Sequence, residues 1–510
     1  MWRTTTALAA MSLLAGCMVG PDFVAPNPQL PETSYTDDVR DKQLPLPTDP
    51  LWWATFRDPI LTNLASQIAD SNLDVQTATV RLAESRFQRG IAAAAQWPSV
   101  NANAKYVREL YSNNGIASLL EKLLVAQGSP PFTIFPINEY TVTLDASWQL
   151  DLWGSVRRQV ESASAQVDQA AERQRAALVS NLAELARDYI QLRGVQTQIR
   201  IANDNLKIAK DILDLVNERH KKGIQNGLDV ESAAAQVESV RAQIPALQQQ
   251  EVQNINALSL LLGREPGALK AELGRPKAVP PAPARVPVGV PSELARRRPD
   301  IRAAEAQLHA ATADIGVAVG AFYPSIQLNG TIGYDSLHLY NLFSPGSLQY
   351  TVGPTISVPI FAGGRLKSTL ELRKAQQVEA AIAYRKTVLQ AWHEVVNAMV
   401  SYRLERERRG RLSAQVEHAR AALGLARDRY VEGVSDFLTV LDAERTLLEA
   451  SQQQATSNTN VSLYLVQLFK ALGGGWELTF PDSPPQAVVV LAAEASAVVA
   501  APAKPETVAP

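Results

Sequence analysis

One residue in this chain has surroundings that suit covalent chemistry: Cys17, the only cysteine in 510 residues. A lone thiol can form neither an intramolecular disulfide nor an all-cysteine metal site, so its chemistry has to involve something outside the chain. The five histidines, His220, His309, His338, His393 and His418, are scattered with no metal-ligand spacing. There is no Gly-x-Ser-x-Gly elbow and no phosphate-binding loop. Charge is balanced, 49 basic residues against 51 acidic, and leaves no basic footprint for nucleic acid. The expectation is a protein that is not an enzyme, with no catalytic residue, no metal site, no nucleic-acid partner and no cofactor except what Cys17 carries.

The sequence before Cys17 says what that is. Arg3 gives a basic start, Ala7 to Ala15 is apolar, and Leu14-Ala15-Gly16-Cys17 closes the run. The run is too short to span a bilayer and reads as a signal peptide, residues 1–16. Leu-Ala-Gly-Cys resembles the bacterial lipobox, in which the cysteine is lipidated and becomes the first residue of the mature protein. Several acyl chains anchor stably where one does not. Met18 follows instead of the aspartate that would retain a lipoprotein at the inner membrane, which favours the outer membrane. No later apolar run approaches 18 residues without a charge, so any crossing of a membrane is by strands.

The elements that carry this anchor come in two copies. Tyr140 to Gly263 recurs, without a gap, as Tyr350 to Gly473: Ser147 matches Ser357, Gly154 matches Gly364, and Gly223 matches Gly433. The offset there is 210. Upstream it is 226, which takes Asp74, Gly90 and Pro98 to Asp300, Gly316 and Pro324. One insertion of 16 residues, between Tyr106 and Tyr140, accounts for the difference. Repeats of this kind govern the fold. The first spans 58–263 and the second 299–473. Before them lie the anchor and an extended segment, 17–57. Between them lies a proline-rich connector, 264–298. After them come residues 474–510, of which the Ala/Val/Pro stretch from about Pro484 reads as a disordered tail.

Each repeat has the same order of elements. A helical pattern from Asp58 carries Leu61, Leu64, Ile68, Val75 and Leu82, and stops before Trp97-Pro98. A hairpin follows, 98–152 in one copy and 324–361 in the other. Val100, Ala102, Ala104 and Tyr106 alternate with polar residues, as do Tyr140 through Leu152, Ile326 through Ile332, and Val352 through Ile360. Strands of roughly 9 to 13 residues suit a tilted membrane crossing. Trp97, Tyr106, Tyr140, Trp153, Tyr323, Tyr334, Tyr350 and Phe361 mark their ends like an interfacial girdle. A half-buried soluble sheet would alternate in the same way. Helices 155–222 and 365–432 come next, each about 100 Å long at 1.5 Å per residue. On the first, Val156, Val160, Ala163, Val167, Ala170, Leu178, Leu182, Leu185, Tyr189 and Leu192 form a narrow seam that requires other helices beside it. Short turns at Gly223 and Gly433 lead to return helices 228–262 and 438–472. Pro245 predicts a kink in the first alone, because its counterpart is Ala455.

One chain offers four strands. A membrane sheet has to close, since open edges in lipid leave backbone groups unpaired, and four strands cannot close. Two chains would pool about eight strands and fill the bore with side chains; three would pool about twelve and leave a wet lumen, which the polar strand faces favour.

Taken in order, several stretches resemble one family. These are Cys17-Met18-Val19-Gly20-Pro21-Asp22-Phe23 with Pro26; Trp52-Trp53-Ala54-Thr55-Phe56-Arg57-Asp58-Pro59-Ile60-Leu61; and Trp148-Gln149-Leu150-Asp151-Leu152-Trp153-Gly154 with its repeat Pro359-Ile360-Phe361-Ala362-Gly363-Gly364-Arg365-Leu366. They continue with Leu294-Ala295-Arg296-Arg297-Arg298-Pro299-Asp300-Ile301, then Arg429-Tyr430-Val431-Glu432-Gly433-Val434-Ser435 and Leu438-Thr439-Val440-Leu441-Asp442. Over about residues 17 to 480 the chain is similar to the outer membrane factors of tripartite RND-type efflux pumps, in the NodT-type lipoprotein branch of the TolC-like ducts.

The resemblance implies a mixed, mainly α fold: a homotrimer with a 12-stranded outer-membrane β-barrel continued by a 12-helix periplasmic α-barrel. It implies partners as well, a periplasmic adaptor (membrane fusion protein), an inner-membrane RND transporter and outer membrane lipid, and it implies export of small toxic compounds without chemistry. The segments near 50 and 476, with the connector, would girdle the tunnel. Tyr430, Leu438, Asp442 and Arg445 match positions that close the tunnel in relatives, with Asp229, just after the first turn, their partner from the other copy. Gly223, Gly433, Val434 and Ser435 would meet the adaptor. Asp442 and Arg445, three apart on a helix, could equally form an ordinary surface pair. The first turn, Ile224-Gln225-Asn226-Gly227-Leu228, departs from the family pattern. A soluble coiled-coil scaffold would explain the long helices but not the signal peptide or the strands. Within the duct class the alternative is a conduit for protein (type I) secretion.

Overall fold

The computed structural model describes residues 18–30, 49–112, 135–224, 226–283, 286, 288–289 and 291–482. Cys17, the expected signal peptide, much of the β1–β2 loop and the Ala/Val/Pro tail lie outside them. The longer elements are α1 (Pro59–Ser71), α2 (Leu73–Ala94), β1 (Ser99–Glu109), β2 (Ile137–Leu150), α3 (Ser155–Lys221), α4 (Gly227–Leu261), α5 (Pro299–Gly320), β3 (Ser325–Ser336), β4 (Leu348–Ser357), α6 (Arg365–Val431) and α7 (Phe437–Leu472). The repeat is structural as well as sequential. Leu73–Ala94 shifted by 226 is Pro299–Gly320, and Ser155–Lys221 shifted by 210 is Arg365–Val431, so each pair of helices matches to the residue.

The chain folds as two compact units, one of residues 1–25, 83–168 and 305–382, the other of residues 26–82, 169–304 and 383–510. The first holds the sheet. Its four strands run in the order β1-β2-β3-β4, every neighbouring pair antiparallel. Among the described residues β1 and β4 are each paired on one side only. Β-strand ends are set by backbone chemistry. The alternation extends to Leu152 and Ile360, but pairing stops at Leu150 and Ser357. Pro359 has no N–H to give the ladder, and Leu152 turns back to donate to the Leu150 carbonyl at 3.1 Å. Strand residues Val358 and Ile360 of the sequence reading are therefore unpaired chain.

The second unit holds the larger core. Trp52, Phe56, Leu61, Leu64, Ile68 and Val75 pack with Leu182, Tyr189, Leu258, Val395, Leu465 and Phe469. Trp476 belongs to this core and packs against two guanidiniums, Arg175 at 4.4 Å and Arg302 at 5.3 Å from the ring centroid. The single helix expected from Asp58 to Trp97 is two, divided at Asn72. Its side-chain oxygen accepts from the N–H groups of Asp74 and Val75, both at 3.0 Å, and so caps α2. The narrow seam on α3 is also corrected. Leu178 to Leu192 is buried on most of its circumference, because α1 and the chain around Trp476 cover it. Val160, Ala163, Val167 and Ala170 are only half-buried, while Arg158, Ser162 and Ala165 are buried in their place. α4 runs unbroken through Pro245.

Candidate functional site

In the sheet unit the register sorts residues by parity. Val100 pairs with Ala146, Leu144 with Ile332, Trp148 with Leu328 and Ile332 with Tyr350. Partners in every ladder are even with even and odd with odd, so all even positions share one face. That face is apolar, and Val100, Leu144, Leu328, Ile332, Val352 and Ile356 on it are exposed. The odd face is polar. Asp145 is its centre, accepting from Asn103 (2.5 Å), Thr143 (3.0 Å) and Thr331 (2.7 Å). Asn329 links Ser147 and Thr355 at 3.1 and 3.2 Å, and Lys105 pairs with Glu139 at 3.6 Å. Aromatic pairs stand at both ends: Tyr106–Tyr140 with ring centroids 4.9 Å apart, and Trp153–Tyr323 also 4.9 Å apart. Exposed apolar surface on one face and a hydrogen-bonded polar net on the other suit lipid on one side and water on the other.

The residues after Cys17 are held against the same unit. Val19 N–H donates to the Trp153 carbonyl at 3.1 Å. Arg158, fully buried, donates to the Val19 carbonyl (3.2 Å), the Gly20 carbonyl (3.4 Å) and the Asp22 carboxylate (2.6 Å). Phe23 stacks on His309 at 4.4 Å, and His309 contacts Glu161, itself an ion partner of Arg158. Gly20 has φ +89, and a Cβ there would lie 2.5 Å from the Gly316 Cα. Cys17 itself is outside the described residues. Its neighbour Met18 lies within van der Waals reach of Gly154, next to the Trp153–Tyr323 pair.

In the helical unit the two turns between long and return helices are built alike. Gly223 (φ +72) and Gly433 (φ +77) take the left-handed conformation that ends a helix. Ile224 N–H closes on the Arg219 carbonyl at 3.0 Å, and Val434 N–H on the Arg429 carbonyl at 2.9 Å. Asn226 and Asp436 then cap the return helices by accepting from Asp229 and Thr439 N–H, each at 3.0 Å. Two hydrogen bonds from Thr439 hold the Asp436 carboxyl below the usual range. The departure of the first turn from the family pattern thus leaves the Asn226 cap intact. Ile224, Leu228, Val434 and Leu438 are exposed there, while Ser435 is half-buried.

Beneath the turns lies a small apolar cluster that includes Ile212, Val216, Ala233, Leu423, Tyr430, Phe437, Val440 and Leu447. Tyr430 is buried, with the Arg219 guanidinium 4.7 Å from its ring centroid and Phe437 at 5.9 Å. Burial raises its pKa, partly offset by Arg219, and the charge of Asp229 also reaches it. Tyr430 therefore lies within electrostatic reach of Asp229. Asp442 and Arg445 are not brought together: Arg445 Nε donates to Gln236 Oε1 on α4 at 3.3 Å, and no bond joins it to Asp442 among the described residues. The i, i+3 surface pair does not form.

The sequence reading missed three residues here: Arg219, Gln236 and Glu444. Glu444 was legible, because it falls in the seam Phe437, Val440, Leu441, Leu447 where only apolar residues are expected. It is 4% exposed, and neither carboxylate oxygen has a hydrogen-bond partner among the described residues.

Comparisons with known proteins agree with these features. The profile of the outer membrane efflux protein family matches residues 64–264 and 290–474. The probable efflux pump outer membrane protein SepC of Pseudomonas putida is 32% identical over 485 residues, covering 92% of this chain and 96% of that protein. Nodulation protein T of Rhizobium leguminosarum is 30% identical over 484 residues, covering 95% and 96%. Among solved structures, the outer-membrane channel OprN superposes with a TM-score of 0.82 at 34% identity, covering 90% of this chain and 100% of that one.

Proposed function

This chain belongs to the outer membrane efflux protein family, and from that premise we propose how its parts make the duct. The protein is an outer-membrane exit duct for efflux. Its architecture is that of the TolC-like channels, mainly helical with one small sheet. The observation that carries the assembly is the two-faced sheet with one free edge at each end. In lipid those edges have to be paired. Three copies, with β4 of one against β1 of the next, close about twelve strands with the even face toward lipid and the Asp145 face toward water.

Cys17 carries the lipid anchor. What supports this is the lipobox and the clamp of Arg158 on the residues that follow, next to an aromatic pair suited to a membrane interface. The two turns, with exposed Ile224 and Leu228 in one and Val434 and Leu438 in the other, take a periplasmic adaptor around Gly223 and Gly433, which links the duct to an inner-membrane transporter. Tyr430 with Asp229, and Leu438, Asp442 and Arg445 on the return helix, form the closing layer. The cargo is small and toxic. The curated relatives include pumps named for toluene, for solvent and for antibiotic, which speaks against protein secretion.

The test is deletion of the gene in its host with growth on toluene and on a panel of antibiotics. Increased sensitivity of the deletion strain that returns to normal with the intact gene supports the reading. An unchanged growth profile together with loss of a secreted protein supports the secretion conduit and overturns it.

A further inference from the structure

Glu444 is the one acid of α7 sealed in the cluster beneath the turns. It is 4% exposed, and both oxygens lack a hydrogen-bond donor among the described residues. Its neighbours along the helix face, Phe437, Val440, Leu441 and Leu447, are all buried and apolar. An ionised carboxylate in such a place is costly unless it is paired. The nearest charge, Arg445, is the next residue along the chain. It is exposed, and its Nε is engaged with Gln236. On the other elements packed here, Arg219 of α3 and Asp229 of α4 face Tyr430 of α6, and His418 of α6 is exposed. Nothing among these supplies Glu444 with a counter-ion in contact.

We propose that Glu444 is a proton-binding site: neutral, it holds the four helices packed beneath the turns, and ionised, it loosens them toward water. The inference rests on reading this end of the helices as the closing end of the duct. The sign follows from burial. Desolvation, opposed by Arg445, pushes the Glu444 carboxyl up to about 7 from 4.5. The packed form therefore holds the proton more tightly than the loosened form. Packing is fully favoured below the ordinary value of 4.5, weakens as pH rises from there to about 7, and is constantly disfavoured above.

The test uses the full-length protein, with protons as the ligand. Amide exchange of residues 437–450 is compared between wild type and Glu444→Gln at each pH, so that the intrinsic exchange rate cancels. At pH 8 the wild type should exchange on the order of a hundred-fold faster than the variant, and at pH 4.5 the two should agree within a few-fold. In planar bilayers wild-type conductance should rise from pH 5 to pH 8, while that of Glu444→Gln stays low and flat. Glu444→Leu, which removes the acid altogether, should behave like the Gln variant and guards against a fault of the amide alone. Variants that keep the wild-type pH response, or a wild type without one, overturn the proposal. Exchange that follows pH while conductance does not supports the proton site and overturns the assignment of this end as the closing end.

Discussion

Asn72 and Arg298 hold equivalent places in the two repeats and perform the same task with different chemistry. Asn72 Nδ2 donates to the Leu261 carbonyl at 2.8 Å, and Arg298 Nη1 donates to the Ala471 carbonyl at 2.7 Å. Each therefore ties the start of a short helix to the end of a return helix. Asn72 also donates to Asn181 at 3.1 Å, whereas Arg298 reaches Asp300 at 2.6 Å and Glu394 at 2.8 Å.

Removal of either tie should destabilise the helical unit. Arg298→Ala forfeits hydrogen bonds involving charged groups, worth about 1.5–3 kcal/mol. Asn72→Ala forfeits a helix cap, worth about 0.5–2 kcal/mol, in addition to its buried bonds. Thermal denaturation in detergent should show a lower midpoint for both. A midpoint unmoved in both variants would contradict the shared role.

The clamp on the amino-terminal segment should fail at Gly20. Gly20→Ala combines a left-handed φ of +89 with a Cβ placed 2.5 Å from Gly316, and backbone cannot yield as a side chain can. Limited proteolysis should cut residues 18–30 more readily in this variant and in Arg158→Ala. Acylation of Cys17, read by mass spectrometry of the amino-terminal peptide, should persist in both, because Leu14-Ala15-Gly16-Cys17 is unchanged.

Replacement of Asp442 and Arg445 together by alanine should raise single-channel conductance. Both side chains are exposed, so each link they make is worth about 0.2–1 kcal/mol, and threefold repetition sums a small term. High salt should partly mimic the change by screening. Intact oligomers with unchanged conductance would leave closure to Tyr430 and its neighbours.

Asp145→Asn should shift the ion selectivity of the pore away from cations. The residue bonds Asn103, Thr143 and Thr331 on the polar face, and an amide retains much of that net without the charge. Reversal potentials across a salt gradient measure the effect. No shift would place the polar face away from the conduction path.

Much of this was legible in sequence. The 210-residue offset and the glycines at 223 and 433 fixed both long helices to within one residue of their observed ends, because a helix end needs a local signal and glycine provides it. Strand parity was legible for the same local reason. What was not legible depends on contact between distant segments. Arg158 reads as a surface arginine until Val19, Gly20 and Asp22 fold over it. Asn72 reads as an interior helix residue until Leu261 and Asn181 arrive. The spacing of Asp442 and Arg445 left an ordinary surface pair open as the alternative to a gate, and Gln236 on another helix took the arginine instead.

The pairing of Asn72 with Arg298 also bears on how such a chain can change over time. A ring made from single repeats would need every unit to be identical, so each substitution would appear at all positions at once. Two repeats on one chain halve the number of bodies that have to meet, and they free each half to drift. An asparagine on one side and an arginine on the other, or Pro245 against Ala455, are differences that only a duplicated gene can keep. The 16 additional residues between β1 and β2 are another such difference: in a ring of three chains, they would place long and short loops alternately around one rim.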